Sequence, residues 1–437
     1  SYNTAVGYNA MLNATTATGT TAIGTQALDA LTTGAQNTAL GASALGASTT
    51  ASYNTAVGAS ALVVNTTGAQ NTAVGAFALQ SNTTGSPNTA LGYDALGDNT
   101  TAAGNTAVGW ASLSKTTTGY ANTAVGQSAL TANTTGFSNV AFGHNTLDAS
   151  TTGDNNTALG KSALSSNTTA DSNTAVGTSA LFTNTTGAFN AAMGNDALRT
   201  NSTGGSNIAI GVSALYANTT ASNNVAVGTN AMLGTTTGAS NVAVGSSALR
   251  TNTTGLENTA IGLNALYSNT SANYNTALGY VAMQDNTTGT QNVAVGRNTL
   301  ANNTTGDYNT GSGYSALSEV TTGAQNTGFG RLAGSGLTTG QNNTFIGYFA
   351  RPSTISQTNA NVIGHSVVGA AGYTTIGVST SDIRAGNGTA TWAAVSDERY
   401  KKDIEHSTVG LNFVNDLQPR TFNYRNKGDL PTTFRAY

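Results

Sequence analysis

Side chains able to do chemistry are scarce in this 437-residue chain, and they are unevenly placed. Of its 15 basic and 18 acidic residues, 15 lie after position 380. The densest run is Ser396, Asp397, Glu398, Arg399, Tyr400, Lys401, Lys402, Asp403 and Ile404. A hydroxyl, three cations and three carboxylates in so short a run could support nucleophilic or proton-transfer chemistry. Residue types alone would equally describe a solvated polar surface. Elsewhere the chemical inventory is thin. His144, His365 and His406 are isolated and read as exposed polar positions. Asp94 and Asp98 sit at variable positions and read as a solvated pair. The glycines at 311 and 313 precede no helix and so form no phosphate cradle. No aspartate recurs at a fixed spacing, as calcium-binding rolls require. No metal and no cofactor is expected.

Composition narrows the class. There is no cysteine, which excludes disulfides and thiolate sites. A net charge of -3 offers no basic field for nucleic acid. No apolar run is long enough for a membrane helix, so no membrane span is expected. Charged residues are only 8%, yet there are just 4 prolines, which argues against an ordinary disordered chain. The chain opens on Ser1, with neither an initiator Met nor a signal peptide, as expected for a processed product or a piece of something longer.

What must position the few reactive groups is a repeat. Glycines stand at 7, 24, 41, 58 and 75 and continue at the same spacing to 347, and Gly364 keeps the frame. The consensus is N-T-A-V-G-x-x-A-L-x-x-N-T-T-G-x-x. A 17-residue unit rich in Thr, Asn and Gly cannot build a helix pair, but it suits one coil of a parallel β-solenoid. "TAVG" reads as one strand and the region around "SAL" as a second. Twenty-one coils stacked about 4.8 Å apart make a rod of roughly 100 Å. Two apolar columns are expected to form a thin core: the residue before each glycine (Val6, Ile23, Leu40) and the residue four after it (Met11, Leu28, Leu45). A third column is alanine from Ala5 to Ala294 and implies close approach, either inside the roll or along an axis shared between chains. The column Asn3, Asn37, Asn54 to Asn343, with Thr20 its one exception, suits a stacked amide ladder. The glycine columns suit corners with positive φ or no room for a Cβ. The recurring N-T-T triplets match glycosylation acceptors, but they recur with the repeat and read as structural. Adjacent threonines such as Thr66 and Thr67 point apart, which disfavours a match to an ice lattice. Tyr8, Tyr93, Trp110, His144, Lys161, Tyr280 and Tyr314 follow the glycines and read as exposed. So thin a rod gains from association, and closed rotational symmetry with three chains is the expectation. The steps from Val6 to Met11, Ala17 and Ile23 also allow a three-sided single-chain coil.

The "NTAVGxxAL…NTTG" coil resembles the head and shaft repeats of trimeric autotransporter adhesins and of phage tail fibres. That resemblance covers residues 1–364. After it the pattern changes: Gly377 follows Gly364 too soon to keep the frame, and 365–395 reads as a short β cap. "STVGLNFVNDL" reads as a short helix and "RTFNY" as a strand after Pro419.

Residues 396–437 resemble the start of the intramolecular chaperone autoprotease domain that ends phage tail fibres and tailspikes, including endosialidases. The family's run is Ser-Asp-x-Arg-Leu-Lys-x-Asp/Asn-Ile. Only Tyr400 departs from it, standing in place of Leu. The following "GLNFVNDLQPRTFNYR" also fits. The resemblance implies a domain that aligns three chains and then cuts itself off at Val395–Ser396. By the same carry-over, Ser396 is the nucleophile and Lys401 the general base. A serine hydroxyl needs such a base, and a desolvated lysine can be neutral enough to serve. The family domain runs longer than the segment from 396 to 437.

The sequence therefore predicts an all-β protein: a parallel β-roll of 17-residue coils, trimeric, with a short β cap and a partial α+β chaperone domain. Its expected role is the shaft of a phage tail fibre or tailspike outside the cell, bound to a glycan or protein receptor on a host surface. The alternative is a bacterial surface adhesin or filament using the same roll. A polysaccharide depolymerase would need a carboxylate cluster in the rod, and none is found.

Overall fold

The structure is a computed structural model that describes residues 2–388 and the backbone of 393 and 394. The chain divides into two units, Ser1–Ala393 and Ala394–Tyr437, and the solenoid is the first. The helix expected after Ser407 and the strand expected after Pro419 lie outside the described residues, as does the rest of the α+β domain.

Twenty-one strands of three residues, from β1 (Thr4–Val6) to β21 (Thr344–Ile346), recur once per coil. Each pairs in parallel with the next, with no slip: Thr4 faces Thr21, Ala5 faces Ala22 and Val6 faces Ile23. The same register still holds where Thr327, Gly328 and Phe329 face Thr344, Phe345 and Ile346. The unit is thus a parallel β-solenoid of 17-residue turns, built by one chain. No helix occurs among the described residues.

The region around "SAL" is not a second strand. It is a run of turns. Residues two and four after each glycine take left-handed backbone angles, as in Gln26 (φ 58°), Leu28 (φ 51°), Ser43 (φ 56°) and Leu45 (φ 54°). The alternation has a purpose. Gln26 N–H donates to the Tyr8 carbonyl in the coil before, at 2.8 Å, whereas Leu28 N–H donates to the Ala44 carbonyl in the coil after, at 3.0 Å. A pleated strand would bond to both neighbours through alternate edges of a flat path. Here the chain turns a corner and keeps its ladder. A left-handed leucine costs on the order of 1–2 kcal/mol, and burying its side chain returns about 1.5–3 kcal/mol. The two nearly cancel, so the leucine column alone cannot hold the stack.

Burial corrects a second expectation. In each strand only the middle residue points inward. From Ala22 to Ala294 the alanine column is no more than 1% exposed, which places it inside the roll and not on an axis between chains. The leucine column is fully buried beside it. The residue before each glycine points out: Val6, Ile23, Leu40, Phe142 and Met193 are exposed. The reason is strand geometry, since neighbours of an inward residue must face the other side. The core is therefore Ala and Leu, narrower than two bulky columns would give.

Two amide ladders complete the interior. Asn54 N–H donates to Asn37 Oδ1 at 3.0 Å, and Asn54 Nδ2 donates to the Gly68 carbonyl at 2.9 Å. The N-T-T asparagines form the second ladder, in which Asn82 Nδ2 reaches Asn65 Oδ1 at 2.8 Å. Both are fully buried, so these triplets serve the fold and are closed to glycosylation in the folded chain. The corner glycines behave as expected. Gly228 has φ +135°, and a Cβ there would lie 2.6 Å from the Gly245 carbonyl.

Towards the far end the interior changes character. Val320 and Leu337 take the place of asparagines, and Phe345 enters the alanine column. Gly334 stands where leucine would be, and a Cβ on it would come within 3.1 Å of the Phe345 ring. Bulk lost from one column is regained in the other. Two short strands, β22 (Arg351–Pro352) and β24 (Val368–Gly369), pair beside the main sheet. Strand β23 (Asn361–His365) stays in frame with β21. Strand β25 (Tyr373–Val378) follows in parallel after a shortened, 13-residue coil, with Gly377 beside Gly364. Then β26 (Ser381–Gly386) pairs antiparallel to β25, which ends the parallel run.

Candidate functional site

Val395, Ser396 and Lys401, the residues expected to carry self-cleavage, lie outside the described residues, so their mutual geometry is not part of the structure. His406 lies there too. The described unit offers three surface features instead.

The first is the outward side of the strands. The residue before each glycine is apolar in every coil from Val6 to Ile363 except at Ser312. Exposure is substantial along the whole length: 45% at Leu40, 53% at Phe142, 52% at Met193 and 61% at Phe329. The other outward residue of each strand is mostly Thr, Val or Ile. Monomers rarely expose a continuous apolar patch beyond a few hundred Å². This column runs about 100 Å at about 4.8 Å per coil. Sequence reasoning assigned these side chains to the core. The signal that could have placed them is the alanine between them: a three-residue strand with Ala at its centre can have only one inward side chain.

The second is the corner just past each glycine. Tyr8, Tyr93, Trp110, Tyr280 and Tyr314 are all exposed there, as expected. His144 and Lys161 are exposed too, and the structure brings no acid–base or metal set around them. Among the described residues no cluster of His, Asp and Glu could hold a metal. In the last six coils this corner is occupied by Tyr280, Arg297, Tyr314, Arg331, Tyr348 and His365. The Arg297 guanidinium lies over the rings of Tyr280 and Tyr314, at 5.2 and 5.8 Å from their centroids. Arg331 lies over Tyr314 and Tyr348, at 5.7 and 5.4 Å. Tyr348 then stacks on His365 at 4.9 Å.

The third is the carboxylate pair. Asp98 accepts from Lys115 Nζ in the next coil at 3.1 Å, an exposed bridge of little energetic weight. Partial burial, then the charge of Asp98, pushes the Asp94 carboxyl above its ordinary range, with Lys115 pulling the other way. The hydrogen bond and charge of Asp98 hold Lys115 above the usual lysine range. A carboxylate pair tied to a lysine on an open surface has no cleft to work in, so it is part of the coil surface.

The described unit is a parallel β-solenoid built by one chain, with an apolar column along its outward strand face. The family model described as chaperone of endosialidase matches residues 396–434, the stretch that begins at the Ser-Asp-x-Arg run. Solenoid and matched segment together fit a phage tail fibre-like structural protein. No curated protein and no solved structure matches the chain. No helix among the described residues is long and apolar enough to cross a membrane.

Proposed function

We propose that this chain is the shaft of a homotrimeric phage tail fibre or tailspike that attaches to a host surface outside the cell. In this reading residues 1–364 form the shaft, 365–395 the cap, and the segment from 396 begins the assembly domain. One observation carries it: a match to the chaperone of endosialidase family begins directly after a solenoid whose outward strand face is apolar and uncovered. Three copies, brought into register by the C-terminal segment, would bury that column. The bacterial adhesin alternative shares the roll but leaves the match at 396–434 without a purpose.

The cleavage step in this reading is carried over from the family that residues 396–434 match. Neutral Lys401 Nζ takes the proton of Ser396 Oγ as that oxygen attacks the carbonyl carbon of Val395. The Val395–Ser396 peptide bond breaks, its nitrogen leaves protonated as the Ser396 amine, and Val395 is held as an ester on Oγ. Water then hydrolyses the ester, leaving a carboxylate at Val395 and the free Ser396 hydroxyl. Loss of the assembly segment after the chains have docked makes the product hard to undo, a kinetic form of stability. Light scattering tests the reading. The assembled protein should have the mass of three chains, and a stable monomer would remove the trimer. A receptor-bearing host surface should retain the same assembly.

A further inference from the structure

From Tyr280 to Tyr348 aromatic and cationic side chains alternate through five consecutive coils at one corner, and His365 follows in the sixth. Elsewhere on the solenoid Arg199, over the Phe182 and Tyr216 rings, and Arg250, over the Tyr267 ring, engage their N–H groups as well. There Arg199 donates to the Tyr216 hydroxyl at 3.1 Å and pairs with Asp196 at 3.5 Å. Arg250 Nη1 likewise donates to the Tyr267 hydroxyl, at 2.5 Å. Each of those guanidinium groups gives at least one N–H to the coil itself. Arg297 and Arg331, both exposed, have neither a hydrogen bond nor an ion pair among the described residues. Their guanidinium carbons lie over tyrosine rings, while their N–H groups make no hydrogen bond among the described residues. A stacked guanidinium is pre-organised, so little freedom is lost when it grips a carboxylate with two parallel hydrogen bonds.

From this arrangement the geometry points to a binding strip for a linear acidic polysaccharide that carries one carboxylate on every second sugar. The inference deepens the attachment reading above and rests on it. Three observations select the ligand. Arg297 and Arg331 are two coils apart, about 10 Å along the rod at about 4.8 Å per coil, an interval on the scale of two extended sugar rings. The Tyr314 ring has a guanidinium over it from the coil before and from the coil after, which leaves no open ring face for a nucleobase to stack on. An extended acidic peptide presents one face every second residue, about 6.7 Å apart, which misses the two-coil interval. No acidic residue occupies this corner in any coil. The strip lies past the glycine, off the three-residue strand whose apolar column is assigned to self-association.

The test uses the full assembled protein and hyaluronan oligosaccharides, in which glucuronate alternates with a neutral sugar. Calorimetry should show binding that weakens with salt. Arg297→Gln with Arg331→Gln should reduce affinity at least tenfold while leaving the trimer mass and thermal midpoint unchanged. Arg297→Lys with Arg331→Lys should restore charge yet recover only part of the binding, because an ammonium lacks the planar fork. Equal binding by the Gln double variant overturns the proposal. So does equal or tighter binding of a poly-glutamate peptide or single-stranded DNA, and so does the absence of hyaluronan binding. Adsorption of the fluorescently labelled fibre to bacterial cells is measured in parallel. Adsorption that persists unchanged in the Gln double variant overturns the strip alone, whereas a fibre that adsorbs to no cell surface removes the attachment reading as well.

Discussion

Asn201 Nδ2 donates to Asn184 Oδ1 one coil earlier at 2.7 Å, and the same nitrogen reaches the Gly204 carbonyl of its own corner at 2.8 Å. Its oxygen accepts from Asn218 Nδ2 at 2.7 Å. A buried amide is costly unless all its groups are satisfied, and this one is satisfied only because its neighbours in both adjacent coils are also asparagine. The ladder is thus a cooperative object, and its interruptions show it. The Oδ1 atoms of Asn99, Asn133, Asn218 and Asn303 have no hydrogen-bond partner. The next residues in their column are Thr116, Ser150, Thr235 and Val320. Each orphaned oxygen sits one coil before a break.

Repairing a break should therefore stabilise the rod. Thr235→Asn supplies the Nδ2 that Asn218 Oδ1 lacks and offers its own oxygen to Asn252. It also removes the unpartnered Thr235 hydroxyl. A satisfied buried pair is worth about 1–2 kcal/mol, so the denaturation midpoint should rise. The reverse change, Asn201→Ala, strands the Asn184 oxygen, while the Gly204 carbonyl keeps its bond from Asn190 Nδ2 at 2.9 Å, and it should cost about 1–3 kcal/mol, the scale of one stranded group. Urea denaturation of both variants decides. A stabilised Asn201→Ala would show that the ladder is ornamental.

The two glycine columns should respond differently to alanine. At Gly228 the backbone has φ +135° and a Cβ would meet the Gly245 carbonyl carbon and oxygen, each at 2.6 Å. Neither strain nor clash has a flexible partner to absorb it, so Gly228→Ala should cost at least about 2 kcal/mol. The second column also crowds a Cβ, as at Gly238, which faces the Gly255 carbonyl. Yet that column already holds Ala51, Ala102, Ala170, Ala221 and Ala272, and the Gly238 backbone does not take a positive φ. The alanines in equivalent coils show that the backbone accommodates a Cβ at this position, so Gly238→Ala should cost clearly less than Gly228→Ala. Thermal unfolding followed by circular dichroism separates the two, and equal losses would contradict the distinction.

These cases show which parts of the fold are legible in the sequence. An unbroken spacing of the glycines reveals the stack, because every inserted residue would break a column. The Asn3–Asn343 column reveals its amide ladder for the same reason. Direction within the coil is harder to read. Val6 and Ala5 are both apolar, and hydrophobicity alone ranks the valine column as core, whereas the inward position of the strand is the one that alanine holds from 5 to 294. The left-handed angles at Leu28 and Leu45 leave no mark in composition, since leucine gives no hint of them, and so the turn region passed for a strand. Cation ladders such as Tyr280–Arg297–Tyr314 become visible only once equivalent positions of successive coils are seen to be neighbours. The site proposed at Ser396 rests on its nine-residue signature alone.

The apolar column gives the third prediction. Met193→Glu together with Ile210→Glu places two adjacent carboxylates on the outward strand face, at positions 52% and 40% exposed. In a lone chain both would stay solvated, and surface changes of this kind usually move stability by less than about 0.5 kcal/mol. In an assembly buried along this column they would be unpaired charges in an apolar contact, which is strongly unfavourable. The variant should keep its β-rich circular dichroism while its mass by light scattering falls from three chains to one. An unchanged assembly would move the interface to another face.

Self-cleavage gives the last prediction and the most direct reading of the C-terminal segment. If Ser396 attacks Val395, then Ser396→Ala removes the only group able to form the ester, and intact-mass analysis should find the bond between 395 and 396 whole in every chain. Lys401→Ala keeps the nucleophile but removes its base, and a loss of about 10²–10⁴ in rate is typical for such a group. Lys401→Arg should be as slow, because a guanidinium stays protonated at any workable pH. The wild-type rate should rise with pH until the lysine is fully neutral and then level off, since only the neutral amine accepts the hydroxyl proton. Residual cutting at the same bond in Ser396→Ala would assign the reaction to another nucleophile. A rate indifferent to Lys401 would leave Ser396 activated by a different base.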